Sequence, residues 1–185
     1  MVALGKSVAL ILSAGTLMYV ASEPVKPKGD ANLAKLVTDY RSWKRVNGSP
    51  KLMPPKISEL CRDTTGMKDP PERSTVSPHD VRWFNVYVNR IAEPAMWSTG
   101  RTQFPVGSII VKEKLASYRK KEVELMTVMV KRPSGFDSKV GDWEFFVVQK
   151  GRATQNDVSG CKSCHARYAK HDFVFKDYDT PEIRH

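Results

Sequence analysis

Cys161-Lys162-Ser163-Cys164-His165, close to the C-terminal end of a 185-residue chain, constrains this protein more than any other stretch. C-x-x-C-H is the spacing at which a c-type haem is attached covalently. Each thiol adds across one vinyl group of the porphyrin, and the adjacent imidazole then falls beneath the iron as its proximal ligand. Helical geometry accounts for the spacing. Residues three and four apart share one face, so Cys161, Cys164 and His165 can all address one porphyrin. Two other chemistries use paired cysteines. A zinc site needs a fourth ligand, for which Cys61 and His171 are the available side chains. A thioredoxin-like dithiol belongs beside a βαβ pattern at the start of a helix, and no such pattern is visible.

The N-terminus points the same way. Met1 to Lys6 carries one positive charge, Ser7 to Val20 is an apolar run, and Ala21-Ser22 offers small residues for cleavage. That is the layout of a secretory signal. The run is shorter than the roughly 20 apolar residues a spanning helix prefers. No clean A-x-A precedes the cut, so a retained anchor stays open as the alternative. Bacteria attach haem to this motif outside the cytoplasmic membrane, and a periplasmic location satisfies both signals. Residues 1–22 are read as signal peptide or N-terminal anchor, 23–29 as a Pro/Lys/Gly linker, and 30–185 as one haem domain, large enough for a core of its own. The formal charge of +10 becomes 10 − 1 = +9 once Lys6 leaves with the signal. The basic residues are dispersed and the chain is exported, so nucleic acid is not an expected partner; a basic surface aids solubility and can dock an acidic redox protein. With two cysteines claimed by haem, Cys61 is expected to be a buried thiol, an intermolecular bridge being the alternative.

Periodicity predicts helices at both ends and strands between. Asp30 can cap a helix in which Leu33, Leu36, Val37, Tyr40 and Trp43 recur at helical spacing, ending near Asn47-Gly48. Pro54 to Cys61 reads as a short helix, and Arg62 to Pro78 as a long surface loop. Strands are expected over Val81–Val88, Gly107–Lys112, Val123–Val130 and Asp142–Val148, with a helical turn at Glu93-Pro94-Ala95-Met96-Trp97 closed by Gly100. A final helix from about Val158 to Lys170 should carry the haem motif. Consecutive strands with short connections favour an antiparallel sheet, so the fold class is α+β, with flanking helices and a C-terminal helix bearing C-x-x-C-H.

Tyr40-Arg41-Ser42-Trp43, Val86-Tyr87-Val88, Gly107-Ser108-Ile109-Ile110-Val111-Lys112-Glu113, Gly141-Asp142-Trp143-Glu144-Phe145, the haem motif, Ala169-Lys170 and Val174-Phe175 follow one another in an order that resembles the cytochrome P460 family. The resemblance covers nearly all of the chain beyond the signal. It implies a homodimeric, sheet-rich protein holding haem c, with His165 as proximal iron ligand and an open distal face. Some members oxidise hydroxylamine to nitrous oxide or nitric oxide. The related cytochrome c′-β branch binds nitric oxide or carbon monoxide without turnover.

Two further site residues come from that resemblance. Lys112 matches the lysine that P460 enzymes link to a haem meso carbon. Strand alternation puts it on one face with Ser108 and Ile110, while Glu113 joins Val111 on the other. A lysine continuing an apolar face is costly to bury as an ammonium; the alternative is a side chain snorkelling out from a strand. Thr127 falls where turnover-competent members carry a distal glutamate, and the nearest acid, Glu124, should face away from it. Threonine can hydrogen-bond a ligand but is a poor base for the protons that hydroxylamine oxidation releases. Elsewhere, His79 is expected in an exposed loop and His171 is too close to His165 to reach the other haem face. Met126 and Met129 read as core. Phe104, Phe145 and Phe146 could wall a dry pocket, and Arg82 or Arg132 could meet haem propionates.

Overall fold

The structure, a computed structural model, describes residues 33, 35, 37–54, 81–120, 122–150, 152–154, 158–176 and 178. The expected signal or anchor, the linker, Asp30, the 54–61 helix beyond its first residue, Cys61, the following loop and His79 lie outside these residues.

In chain order the strands are β1 (Lys44–Arg45), β2 (Lys51–Leu52), β3 (Trp83–Val88), β4 (Ile109–Leu115), β5 (Val123–Lys131), β6 (Trp143–Gln149) and β7 (Arg152–Thr154). They form one seven-stranded sheet in the order β1-β3-β4-β5-β6-β7, with β2 also on β3, and every pairing is antiparallel. Helix α1 (Glu93–Trp97) crosses between β3 and β4, and α2 (Ser159–His165) follows β7. The class is α+β, as the strand spacing predicts. The four central strands are rich in Val, Ile, Phe and Trp, whose branched or flat side chains suit a pleated surface buried on both sides.

Alternation divides those side chains between two cores. Phe84, Val86, Val88, Ile110, Met129, Trp143 and Phe145 meet Ala95 and Met96 of α1, with Cys161 of α2 packed against them. Tyr87, Ile109, Val111, Val128, Phe146 and Val148 face the other way, beneath Leu33, Val37 and Tyr40. The first of these is the haem-motif face, since Cys161 packs on it.

Three local expectations are corrected. The N-terminal helix does not run to Asn47-Gly48: a 3-10 turn, Tyr40–Ser42, closes it, and Trp43 is already extended with ψ 171°. Lys44 and Arg45 leave the helix to pair with Val88 and Tyr87. Asn47, fully buried, then bridges the gap between β1 and β2. Its Oδ1 accepts the Val86 N–H at 2.8 Å, and its Nδ2 donates to the Phe84 carbonyl at 3.2 Å. A side chain thus satisfies edge groups of β3 that would otherwise be buried unpaired. At the C-terminal end the α-helix stops at His165 and tightens into a 3-10 segment, Ala166–His171, kinked at Tyr168. Finally β4 continues three residues past Lys112, through Leu115.

Candidate functional site

Helix α2 brings the motif against the sheet. Gly160 and Cys164 are its buried residues, Cys161 is half-buried, and Lys162 is tied to Asp137 by an ion pair at 2.8 Å. His165 closes the helix with its ring between two aromatics. Phe145 of β6 lies 5.1 Å away between centroids, and Phe175 stands edge-on at 4.9 Å.

His165 Nδ1 lies 2.6 Å from the Phe173 carbonyl oxygen. A carbonyl only accepts, so Nδ1 carries the proton and Nε2 keeps its lone pair. Burial pushes the imidazole pKa down to about 4; the Phe173 carbonyl opposes that shift, and the nearby Lys112 charge adds to it. A neutral imidazole with its far nitrogen fixed by a backbone acceptor is the form in which histidine binds a metal.

Lys112 extends from β4 onto the haem-motif face. Its Nζ sits 4.3 Å from the centroid of the Phe84 ring and 3.7 Å from Met53 Sδ. The ammonium is close enough to His165 to depress its pKa. The side chain is half-buried, held over aromatic and thioether surface where a cation is attracted by the ring face. Thr127 of β5 stands directly opposite Lys112 in the register, so both project from the same face. Val86 flanks Lys112 on β3 and Val147 flanks Thr127 on β6. The structure therefore brings Lys112 and Thr127 together on the sheet face that receives His165.

The carboxylates of the sheet are committed elsewhere. Glu113 points to the opposite face, buried, accepting from Tyr40 Oη at 2.6 Å, Asn85 Nδ2 at 2.9 Å, Arg41 Nε at 3.2 Å and Tyr87 Oη at 3.3 Å. Burial and this carboxylate raise the pKa of both tyrosines. Glu124 pairs with Arg82 at 3.0 Å and Glu144 with Arg132 at 2.5 Å. Both arginines considered for propionates are thus engaged with carboxylates. Phe146 lies in the opposite core, Phe104 packs edge-on to Trp143 at 5.4 Å, and only Phe145 of the three touches His165. Met129 is core on the haem-motif face, and Met126 packs on the other. His171 lies on the 3-10 segment with its Nδ1 buried and no hydrogen-bond partner among the described residues. Among the described residues no three His, Cys, Asp or Glu side chains group as metal ligands.

The donor set fits a covalent haem: two cysteines three apart on one short helix, and a neutral imidazole offering Nε2. Sequence reasoning missed Phe173, whose contribution is a carbonyl and leaves no trace in side-chain type, and Met53 and Phe84, which approach Lys112 only through the fold. Alternation of β3 was the one available signal, since it places Phe84 with Val86 on the face of Lys112.

A family model described as cytochrome P460 matches residues 37–176, most of the chain. Comparison with curated proteins gives no match. No helix of the described residues is long and apolar enough to cross a membrane.

Proposed function

The chain belongs to the cytochrome P460 family and is a c-type haem protein, and from that premise we propose that it is a periplasmic oxidoreductase that oxidises hydroxylamine, to nitrous oxide or nitric oxide, with Lys112 joined covalently to its haem. The observation that carries the reading is the placement of Lys112 opposite Thr127 on the apolar sheet face against which His165 packs through Phe145. Cys161, Cys164 and Lys112 would hold the cofactor and His165 Nε2 would ligate its iron. When bound, the haem supplies the iron at which a small nitrogenous ligand is held and the route by which its electrons leave. The protein's own part is to keep His165 neutral and aimed, to exclude water with Phe84, Val86, Ile110 and Phe145, and to offer the Thr127 hydroxyl to a ligand. The high positive charge suits an acidic redox partner, and a homodimer is the working unit this reading takes from the family resemblance.

Thr127 favours a second reading. Glu113, Glu124 and Glu144, the acids of β4, β5 and β6, are bound to Tyr40, Arg82 and Arg132, and the residue across from Lys112 is a threonine. A hydroxyl is a poor base for the protons that turnover releases, so a threonine at this position suits reversible binding of nitric oxide or carbon monoxide, as in the cytochrome c′-β branch. Peptide mass spectrometry of the haem-loaded protein separates the two. A haem-bearing peptide joining the Lys112 strand to Cys161–Cys164, together with hydroxylamine-dependent reduction of an added acceptor, is the expected result. Haem on the two cysteines alone, with Lys112 unmodified and no turnover, overturns the oxidoreductase in favour of the gas-binding protein.

A further inference from the structure

The carbonyl that orients His165 belongs to an unusual piece of backbone. Asp172 and Phe173 both have left-handed φ, 53° and 63°, in a stretch without glycine. Two consecutive non-glycine residues resist that conformation unless their surroundings impose it. The surroundings are specific. Lys131, at the end of β5, donates from Nζ to both carboxylate oxygens of Asp172 at 2.7 Å and to the Gly141 carbonyl at 2.6 Å. Those bonds use all three ammonium protons. The Asp172 carboxylate also accepts the Phe104 N–H at 2.8 Å, and the Asp172 carbonyl accepts Trp143 Nε1 at 2.7 Å. The Phe173 N–H is bound by the Tyr168 carbonyl at 2.9 Å. Gly141 closes the arrangement from the other side: a Cβ there would meet the Phe173 ring at 2.5 Å. Lys131 and Asp172 are both buried, their side chains 8% and 9% exposed.

We propose that the buried Lys131–Asp172 pair, with Trp143 and Gly141, is a positioning device for the proximal imidazole. It holds the Asp172–Phe173 turn left-handed, aims the Phe173 carbonyl at His165 Nδ1, and so sets the donor strength of Nε2 toward the haem iron. The inference rests on the haem reading above and goes beyond it by naming the residues that tune the iron. A hydrogen bond from Nδ1–H to a carbonyl raises ligand basicity and favours the oxidised metal; partners of this kind typically change metal-site properties tenfold or more when removed.

The test uses haem-loaded wild type, Lys131→Met, Asp172→Asn and, as a control in the opposite core, Val128→Ala. The readouts are the haem reduction potential and the iron–imidazole stretch of the ferrous protein. Coulomb's law alone gives opposite signs: loss of the Lys131 cation lowers the potential, and loss of the Asp172 anion raises it. Lost positioning raises it in both. A rise equivalent to about tenfold in the oxidised-to-reduced ratio, roughly 59 mV for one electron, is expected for Lys131→Met, with a weakened iron–imidazole stretch. A smaller rise is expected for Asp172→Asn, since asparagine tolerates left-handed backbone. Val128→Ala should lower thermal stability and leave both readouts unchanged. Potentials that move in opposite directions, that do not move, or that move equally in Val128→Ala overturn the proposal. Should Lys131→Met not fold, Asp172→Asn decides through the stretch, which a distant charge does not weaken. A wild type without haem overturns the haem reading itself; a haem-bearing series with unmoved readouts overturns only the positioning device.

Discussion

Gly141→Ala is the sharpest single perturbation of this fold. Gly141 has φ +62°, a conformation that costs a residue with a Cβ about 1–2 kcal/mol. The new methyl would also lie 2.5 and 2.7 Å from two carbons of the Phe173 ring and 2.9 Å from Asp172 Oδ1. Relieving such overlap in a packed site costs about 1–3 kcal/mol more, for a total of roughly 2–5 kcal/mol. In a domain of this size each kcal/mol lowers Tm by about 2–4 °C, so a fall on the order of 10 °C is expected. Gly135→Ala is the internal reference, because Gly135 also has positive φ, +93°, but its added Cβ meets nothing within 4 Å. It should lose only the backbone part, about 1–2 kcal/mol. A second comparison isolates the ring: in a Phe173→Ala background, the cost of Gly141→Ala should fall toward that of Gly135→Ala, leaving the Asp172 Oδ1 contact at 2.9 Å as the remaining difference. Urea unfolding of the four variants measures all of these terms. Equal costs at Gly135 and Gly141 would refute the claim that the turn at 141 presses on Phe173, and with it the mechanical link from that turn to the His165 partner.

Glu113→Ala should destabilise the protein by about 3 kcal/mol or more, because the Tyr40, Asn85 and Tyr87 donors are left buried without their shared acceptor; Glu113→Gln should in addition bring the Tyr40 phenol back toward its ordinary titration range, read by phenolate absorbance. With no iron at Nε2, His165 should make stability fall as pH drops. Its folded pKa of about 4 lies below the ordinary value near 6.5, so between those values the unfolded chain binds a proton that the folded chain does not. The contribution is present above about pH 6.5 and lost toward pH 4, at about 1.4 kcal/mol per pH unit, and a flat urea midpoint over this window in the haem-free chain would contradict it. Thr127→Glu places a carboxylate directly across from Lys112 and should raise hydroxylamine-dependent acceptor reduction by roughly a hundredfold, the usual worth of a positioned base; unchanged turnover would show that proton removal is not limiting.

Much of the fold was legible because its signals are local. Period-two runs marked β3 to β6 within a few residues, and Glu93-Pro94 marked the start of α1, but the helix stops at Trp97 with Ser98 already extended, before Gly100 with its φ of +78°. The expected helix through Trp43 failed for a non-local reason: Lys44, Arg45 and Asn47 satisfy the edge of β3, a strand about 40 residues further on. Likewise β1, β2 and β7 are two or three residues long and exist only because a neighbour accepts them. Such segments carry too few side chains to show a period.

At the site the division has the same cause. The sequence by itself determined the haem motif, since C-x-x-C-H needs only one helical turn, and it determined which face of β4 carries Lys112, since side chains alternate along any strand. What it could not determine is the partner of His165. That partner is a backbone carbonyl, identical in every residue type, and its direction depends on two left-handed residues held by a lysine 41 positions away in the chain. Nor could it separate the arginines beside acids from those available to a ligand, or place Met53 and Phe84 under Lys112. Spacing along the chain fixes what one helix turn or one strand presents; only packing between distant segments decides which groups meet and how a carbonyl is aimed.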